Sequence, residues 1–269
     1  MNKKTRIAIT GPIGRMGRML IKEIQNNKHS HLTVAVVQKK HQLIGQDIGR
    51  IIGIGEIGVL ISDELNIKKN DFDVLIDFTR PAGTLEYLKY CNKFKKNIVI
   101  GTTGFSKEEI DIIKSYSQKI AIIIASNFSI GINLLFQLIK KTTQIIGKDS
   151  DINILEYHHR NKIDAPSGTA LEIGEVISKV MNWNLNQDSI YYQKGITGIR
   201  DAKKIGFSIV RAGNIVGKHT VMFSSYDEEI KITHTASNRM SFARGAIQSA
   251  LWIHKKNTGL FDMTDVLSL

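Results

Sequence analysis

The sequence predicts an α/β protein: a doubly wound parallel sheet joined to a smaller α+β domain with an open sheet. Two patterns predict it. Through the first half of the chain, short apolar runs alternate with stretches of helical periodicity, the arrangement of parallel strands linked by crossover helices. After residue 205, three strand-like runs follow one another with only turns between them, which marks a second domain of different construction.

Residues 6–10, Arg-Ile-Ala-Ile-Thr, read as a short buried strand. Gly11, Pro12, Ile13, Gly14, Arg15, Met16 and Gly17 follow, and helical periodicity then runs to Ile24. Strand, glycine turn and helix in that order form the context of a dinucleotide-binding fingerprint. A Gly-x-x-Gly-x-x-Gly triplet alone is no more than a tight turn; at the first strand–helix junction it points to a Rossmann-like sheet. Gly11 permits the turn, Gly14 lets backbone approach a pyrophosphate, and Gly17 lets the helix pack closely.

A second strand lies within residues 31–38 and a third within 72–78, the latter ending in Thr79, Arg80 and Pro81. Pro81 suits the first turn of a helix, and Leu85, Leu88 and Cys91 recur at helical spacing. Residues 97–100 form a fourth strand, followed by Gly101, Thr102, Thr103 and Gly104. Ser106 and Glu109 make a capping box for a helix reaching residue 116. A fifth strand, 120–125, ends in Ala125, Ser126, Asn127 and Phe128. In such sheets ligands bind beyond the carboxyl ends of the strands, so these polar strand ends converge on one cofactor site. Residues 41–62 are rich in Gly and Ile, have no period and receive no assignment.

In the second half, residues 131–146 carry a helical apolar pattern and 152–157 a strand. A helix starting near Ala170 is expected, with Thr169 as N-cap and Glu172 at N3 of a capping box. A polar segment, 182–204, precedes strands at 205–212, 219–225 and 229–234, with Gly213 and the pair Asp227 and Glu228 in the turns. A last helix, 242–254, presents Ala246, Ala250, Leu251 and Ile253 for packing.

The chemistry concentrates in residues 155–170, Leu-Glu-Tyr-His-His-Arg-Asn-Lys-Ile-Asp-Ala-Pro-Ser-Gly-Thr-Ala. His158, His159, Arg160 and Lys162 sit together, and Pro166 argues against a helix there. The expectation is a catalytic loop between strand and helix. Ser167, Gly168 and Thr169 open the next helix, whose N-terminus suits a carboxylate or phosphate. Any one of these residues alone reads as surface polarity; together they read as a site for an acidic substrate with a proton donor beside it. His219 and His234 raise the question of a metal, but no His-x-x-x-His helix pair or cysteine pair is present. Adjacent His158 and His159 would also point apart on extended backbone. No metal is expected.

At 269 residues and 42% hydrophobic content, the chain can build one large domain or two medium ones. It has no 18-residue apolar run and no secretory signal pattern. Its one cysteine, Cys91, reads as a core residue, and a reducing, cytoplasmic setting is expected. The net charge of +12 comes from 37 basic and 25 acidic side chains. The lysines are scattered as pairs such as Lys39-Lys40 and Lys140-Lys141, without a basic arm or RNA-binding motif, so neither nucleic acid nor membrane is expected as a partner.

Residues 156–170 closely resemble the signature of the 4-hydroxy-tetrahydrodipicolinate reductase family, also called dihydrodipicolinate reductases. The resemblance extends over nearly the whole chain, through Gly14-Arg-Met-Gly17, Asp77-Phe-Thr-Arg-Pro81, Gly101-Thr-Thr-Gly-Phe105, Ser126-Asn-Phe-Ser129, Arg211-Ala-Gly213, Val216-Gly217 and Gly259-Leu-Phe-Asp262. It implies NADPH- or NADH-dependent reduction of (2S,4S)-4-hydroxy-2,3,4,5-tetrahydrodipicolinate, a small dicarboxylate, with loss of water in the diaminopimelate route to lysine. It also implies a homotetramer assembled through the second domain's sheet, and a C-terminal helix that returns to the cofactor domain. The domains would be residues 1–129 with 240–269 for the dinucleotide, and 130–239 for substrate and tetramerisation.

By the same resemblance, His158 is the catalytic acid/base and Lys162 the proton donor, while His159, Gly168 and Thr169 bind substrate. Cofactor contacts fall on Gly11, Pro12, Ile13, Gly14, Arg15, Met16, Gly101, Thr102, Thr103, Ala125, Ser126, Asn127 and Phe128, with Arg80 nearby. The family's Glu-Arg pair at the end of the second strand is replaced here by Val37-Gln38-Lys39-Lys40. With no carboxylate to repel a 2′-phosphate, NADPH is expected to serve at least as well as NADH. The competing readings are another two-domain Rossmann reductase and a protein that senses a dinucleotide without turning it over.

Overall fold

Residues 3–65, 72–191 and 194–269 are described in the computed structural model. They fall into two units, 1–130 with 239–269, and 131–238. Among the described residues, no helix is long and apolar enough to cross a membrane.

In the first unit β1 (Thr5–Thr10) is buried along nearly its whole length, as expected of a central strand covered on both faces. Helix α1 (Arg15–Asn26) buries Gly17, Leu20, Ile21 and Ile24, one stripe at three- and four-residue spacing. There follow β2 (Ser30–Val36), α2 (Ile48–Ile52), β3 (Ile61–Ser62), β4 (Val74–Asp77), α3 (Pro81–Phe94), β5 (Asn97–Ile100), α4 (Lys107–Ser117) and β6 (Ala121–Ile124). Pro81 opens α3, and Ser106 and Glu109 form the expected capping box on α4. The previously unassigned stretch, 41–62, is organised around one buried carboxylate. Asp47 caps α2 through Arg50 N–H and also accepts the N–H groups of Ile57, Gly58 and Val59. Such a loop has no hydrophobic period to read.

The second unit holds α5 (Ile130–Ile146), β7 (Asp151–His158), α6 (Gly168–Met181), β8 (Ser189–Ile190), β9 (Ile205–Arg211), β10 (Gly217–Ser224) and β11 (Glu229–Ala236). The chain then returns to the first unit with α7 (Met240–Ile253), β12 (Gly259–Phe261) and α8 (Met263–Leu267). Helix α7 buries Ala243, Ala246, Ala250 and Ile253. At Gly245 it lies directly on backbone, since a Cβ there would fall 1.8 Å from the Phe128 carbonyl oxygen.

Among the described residues the first sheet has seven parallel strands in the order β12-β6-β5-β4-β1-β2-β3. The strand order reverses between β4 and β1, where open α/β sheets form their ligand crevice. The second sheet runs β11-β10-β7-β9-β8 and is mixed: β7 is parallel to β9 and antiparallel to β10. Strand β7 alternates strictly between buried and half-buried residues. Its buried face, Ile152 and Ile154, packs with Ile132, Leu135 and Ile139 of α5 and Ile173 and Ile177 of α6. That alternation is the pattern of a sheet with one face on a core, and it decides which polar residues of β7 are driven inside.

Candidate active site

The first unit carries the expected cofactor residues at the carboxyl ends of adjacent strands. Gly11 has φ +63°, a left-handed conformation that favours glycine, and so makes the turn after β1. A Cβ on Gly17 would lie 2.3 Å from the Gly11 carbonyl oxygen, so α1 can sit against this turn only without a side chain there. Gly14 is the N-cap of α1 and provides no side-chain cap, leaving the first-turn N–H groups for an outside acceptor.

Gly101 follows β5, and a Cβ on it would strike the Phe78 ring at 2.1 Å. Phe78 in turn packs on Phe128, which follows β6, at 5.3 Å between ring centroids. Thr102 Oγ1 accepts the Thr79 N–H at 3.0 Å. The turns after β1, β4, β5 and β6 are therefore tied into one edge. Beside it is a cavity of about 630 Å³ whose lining includes Gly11, Ile13, Gly14, Val37, Phe78 and Arg80. A bare glycine turn, an uncapped helix start and a cavity at the reversal of strand order fit a dinucleotide. Pro12, Asn127 and Phe128 are buried supports of this edge, while Arg15, Thr103 and Ser126 are exposed on it and Met16 and Ala125 half-buried.

In the second unit the candidate residues gather around Glu156. By the two-residue period of β7, Glu156 and His158 share the buried face of the strand. Glu156 is completely inaccessible to solvent. Its carboxylate accepts the Ser167 N–H at 3.1 and 3.2 Å and the Arg211 Nη2–H at 2.8 Å. His158 Nδ1 lies 3.4 Å from the same group, and His219 Nε2 at 3.8 Å. His219 reaches it because β10 pairs with β7 and sets His219 opposite Glu156, as β9 sets Arg211 opposite His158. Ser167 Oγ stands 3.2 Å from His219 Nε2, and the two imidazoles meet edge to face at 5.1 Å. Gly217 lies close over His158, so that a Cβ there would approach Nε2 to 3.3 Å.

Two expectations are corrected here. His158 is the last residue of a strand, not a loop residue; the sheet pairing extends through it to Arg211. The helix begins at Gly168 with Ser167 as N-cap, two residues before the expected Thr169. The cause is Glu156: by holding the Ser167 N–H it fixes this residue in extended conformation, and the Ser167 hydroxyl then accepts the Ala170 N–H. Gly168 and Thr169 become the first turn. Lys162 lies on the connecting loop, its ammonium 2.7 Å from both oxygens of Asp164. The Asp164 carbonyl accepts a hydrogen bond from Arg211 at 2.6 Å. His159 is half-buried just beyond the strand.

The sequence reading missed Glu156, Arg211 and Ser167 as the cap, and considered His219 beside His158 only for a metal, which it set aside. One signal was available: a Glu in two-residue register with the apolar Ile152 and Ile154 before it. Ligand atoms of Glu156, His158 and His219 lie within 4.8 Å of one another. The carboxylate already holds a guanidinium and an N–H group, however, which makes this an ion-pair knot in place of a cation site.

Charge states follow from the surroundings. Burial opposes ionisation of Glu156, but the nearby His158 and the hydrogen bonds from Ser167 and Arg211 outweigh it and hold the carboxyl at about 2. Burial, reinforced by the neighbouring His158, pushes His219 down to about 4 against the pull of Glu156. At neutral pH Glu156 is a carboxylate and His219 a neutral imidazole.

Comparison with known proteins places these features in a family. Residues 5–128 match the family described as dihydrodipicolinate reductase, N-terminus, and residues 131–267 match dihydrodipicolinate reductase, C-terminus. The chain belongs to the dihydrodipicolinate reductase family. It is 99% identical to the 4-hydroxy-tetrahydrodipicolinate reductase of Buchnera aphidicola subsp. Acyrthosiphon pisum (strain Tuc7), over 100% of both chains. It is 68% identical to the protein of that name from Buchnera aphidicola subsp. Schizaphis graminum (strain Sg), over 99% of this chain and 98% of the other. A dipicolinate-bound dihydrodipicolinate reductase from Paenisporosarcina sp. TG-14 superimposes with a TM-score of 0.74 at 24% identity, covering 97% of this chain and 98% of that one. The last comparison speaks to the fold: a parallel dinucleotide-type sheet plus a mixed second sheet, as dihydrodipicolinate reductases have.

The buried knot predicts a pH dependence of stability. The unfolded chain protonates His219 near 6.5, whereas the folded protein resists until about 4, so stability declines as pH falls across that window. Glu156 adds a second decline, beginning near 4.5 and running to about 2, because only the unfolded carboxyl takes up a proton there. His219→Asn should reduce the decline in the upper window, to which the lowered His31 and His234 also contribute, and leave the lower one. Urea midpoints taken at pH steps through both windows check this; an unchanged upper slope in the variant would exclude His219 as its source.

Proposed function

We infer that this chain catalyses the nicotinamide-dependent reduction of 4-hydroxy-tetrahydrodipicolinate to tetrahydrodipicolinate with loss of water, a step of the diaminopimelate route to lysine. The observation that carries the site assignment is the Glu156 knot. It fixes an imidazole and the start of an anion-accepting helix together on one buried carboxylate, in a chain with a 99% identical relative that bears that enzyme's name.

The substrate is a cyclic imine with two carboxylates, and departure of its hydroxyl as water leaves a conjugated imine. When bound, the nicotinamide supplies a hydride to ring carbon 4. The electron pair then moves toward the ring nitrogen, and the enamine so formed takes up one proton. Overall one hydride and one proton enter and one water leaves. His158 is suited to deliver the proton: an imidazole with Nδ1 turned to Glu156 and Nε2 left on the other side of the ring. Lys162 supplies positive charge to a substrate carboxylate and favours the anionic intermediate. His159 and the first turn of α6, Gly168 and Thr169, hold a carboxylate through backbone N–H groups and the helix dipole.

We also propose that the protein is a homotetramer. On the side of the second sheet away from α5 and α6, Leu155, Tyr157, Val210 and Met222 share one face and are left partly exposed. A mass near four times 30.1 kDa in light scattering supports this assembly, and a monomer would exclude it.

For the chemistry, His158→Ala and Lys162→Ala should each lower kcat by roughly 10²–10⁴-fold while the Kd for NADPH stays near that of the unmodified protein. Near-normal turnover of His158→Ala would remove it as the acid.

For cofactor choice, the chain runs from the end of β2 through Val37, Gln38 and Lys39 with no carboxylate, and Val37, Gln38 and His41 line the cavity. NADPH should therefore give a kcat/KM at least equal to that with NADH. Lys39 is exposed outside the cavity lining; a charge-assisted bond from it to a 2′-phosphate would contribute about 1.5–3 kcal/mol if ordered. Lys39→Ala should lower the NADPH-to-NADH ratio. A clear preference for NADH, or a ratio that does not move, would remove Lys39 from the site.

A further inference from the structure

A second buried carboxylate lies in the first unit. Asp77 ends β4 and is completely inaccessible to solvent. Its hydrogen-bond partners are hydroxyl groups: Thr10 at 2.5 Å, Thr79 at 2.7 Å, Thr102 at 3.2 Å, and Thr84. The Thr84 and Thr102 hydroxyls are themselves 2.9 Å apart. Among the described residues no cation is paired with it; a carboxylate so buried is expensive to desolvate, and it is tolerated only if all these donors stay in place.

The donors come from separate parts of the chain. Thr10 ends β1 and immediately precedes the left-handed Gly11. Thr79 follows β4 and lines the cavity. Thr84 belongs to the first turns of α3, and Thr102 follows Gly101. One carboxylate thus sets the spacing between the Gly11 turn and the Gly101 turn, yet Asp77 is absent from the cavity lining itself. The register agrees, because Asp77 pairs with Ile100 on β5, the residue just before Gly101.

We propose that Asp77 is a positioning residue for the nicotinamide cofactor. Through Thr10 and Thr102 it holds the two glycine turns at the separation the dinucleotide needs. This rests on the reading that those turns bind the cofactor. Asp77→Asn preserves shape and removes the charge that four hydroxyls are arranged to meet.

The test is the equilibrium Kd for NADPH and for NADH, followed by nucleotide fluorescence on the full-length protein, beside the thermal midpoint of the nucleotide-free protein. Both Kd values should rise by about tenfold or more in Asp77→Asn. A purely structural role would lower the thermal midpoint and leave both values within about twofold of the unmodified protein, and that result would overturn the proposal. Should Asp77→Asn not fold, Thr84→Val and Thr84→Ser carry the test, since Thr84 is buried outside the cavity lining. Val should weaken nucleotide binding and Ser restore it; tight binding by the Val variant would overturn the proposal. Failure of the unmodified protein to bind either nucleotide would instead overturn the cofactor reading, and this inference with it.

Discussion

The Glu156 carboxylate must remain charged in an interior that excludes water, and the second unit is arranged to meet that requirement. An ionised carboxyl transferred from water to an apolar medium without partners would simply take up a proton. Here the Ser167 N–H and the Arg211 guanidinium occupy it, and His158 faces it. Each partner is thereby fixed. Ser167 is held out of the helix and becomes its cap. Arg211 is drawn inward from β9 and also seizes the Asp164 carbonyl, which closes the loop bearing Lys162. His158 is held at the end of a paired strand. Removing one member of such a group leaves an uncompensated buried charge, typically a loss of about 3–5 kcal/mol.

The two buried carboxylates do comparable work by different means. Glu156 is met by a cation, a backbone N–H and imidazoles, so its surroundings include groups that titrate. Asp77 is met by threonine hydroxyls, which do not titrate in water's range. The first arrangement suits a place where a proton has to be transferred, because neighbouring charge sets which group carries it. The second suits a scaffold in which one side chain ties several loops together. Both acids sit at or near the carboxyl ends of strands in the interior of their sheets, β7 and β4, where a short polar side chain can reach several loops at once.

Much of this was legible in the sequence. The alternation of apolar runs and helical stripes located the parallel strands β1, β2, β4, β5 and β6, because their burial on both faces demands continuous apolar residues. Pro81, Ser106 and Glu109 marked helix starts through local backbone chemistry that does not depend on tertiary structure. The glycine triplet was legible for the same reason. What escaped is whatever depends on a partner far along the chain. Asp47 organises its loop through N–H groups about ten residues ahead, and β3 is only two residues long. The cap on α6 shifted from Thr169 to Ser167 because Glu156, eleven residues earlier, holds the Ser167 N–H. Arg211 lies 55 residues from the carboxylate it neutralises. No local pattern encodes that distance, and the alternation along β7 that sets Glu156 on the inner face was not read from the sequence.

The site divides its labour between a rigid part and a yielding one. His158 is carried by a strand paired on both sides, with Gly217 close above it, so its ring has little freedom. The proposed role of proton donor would benefit from that, since transfer demands a short and well-aligned approach. Lys162 is on a loop with its side chain 20% exposed, and its partner Asp164 is 54% exposed. With one partner so open to water, the pair contributes roughly 0–1 kcal/mol. An incoming carboxylate can therefore take the ammonium from Asp164 at small expense, while the Arg211 bond to the Asp164 carbonyl keeps the loop backbone where it was. Under the proposed roles, the cation can follow the charge that develops on the substrate, and the acid stays where the strand has set it.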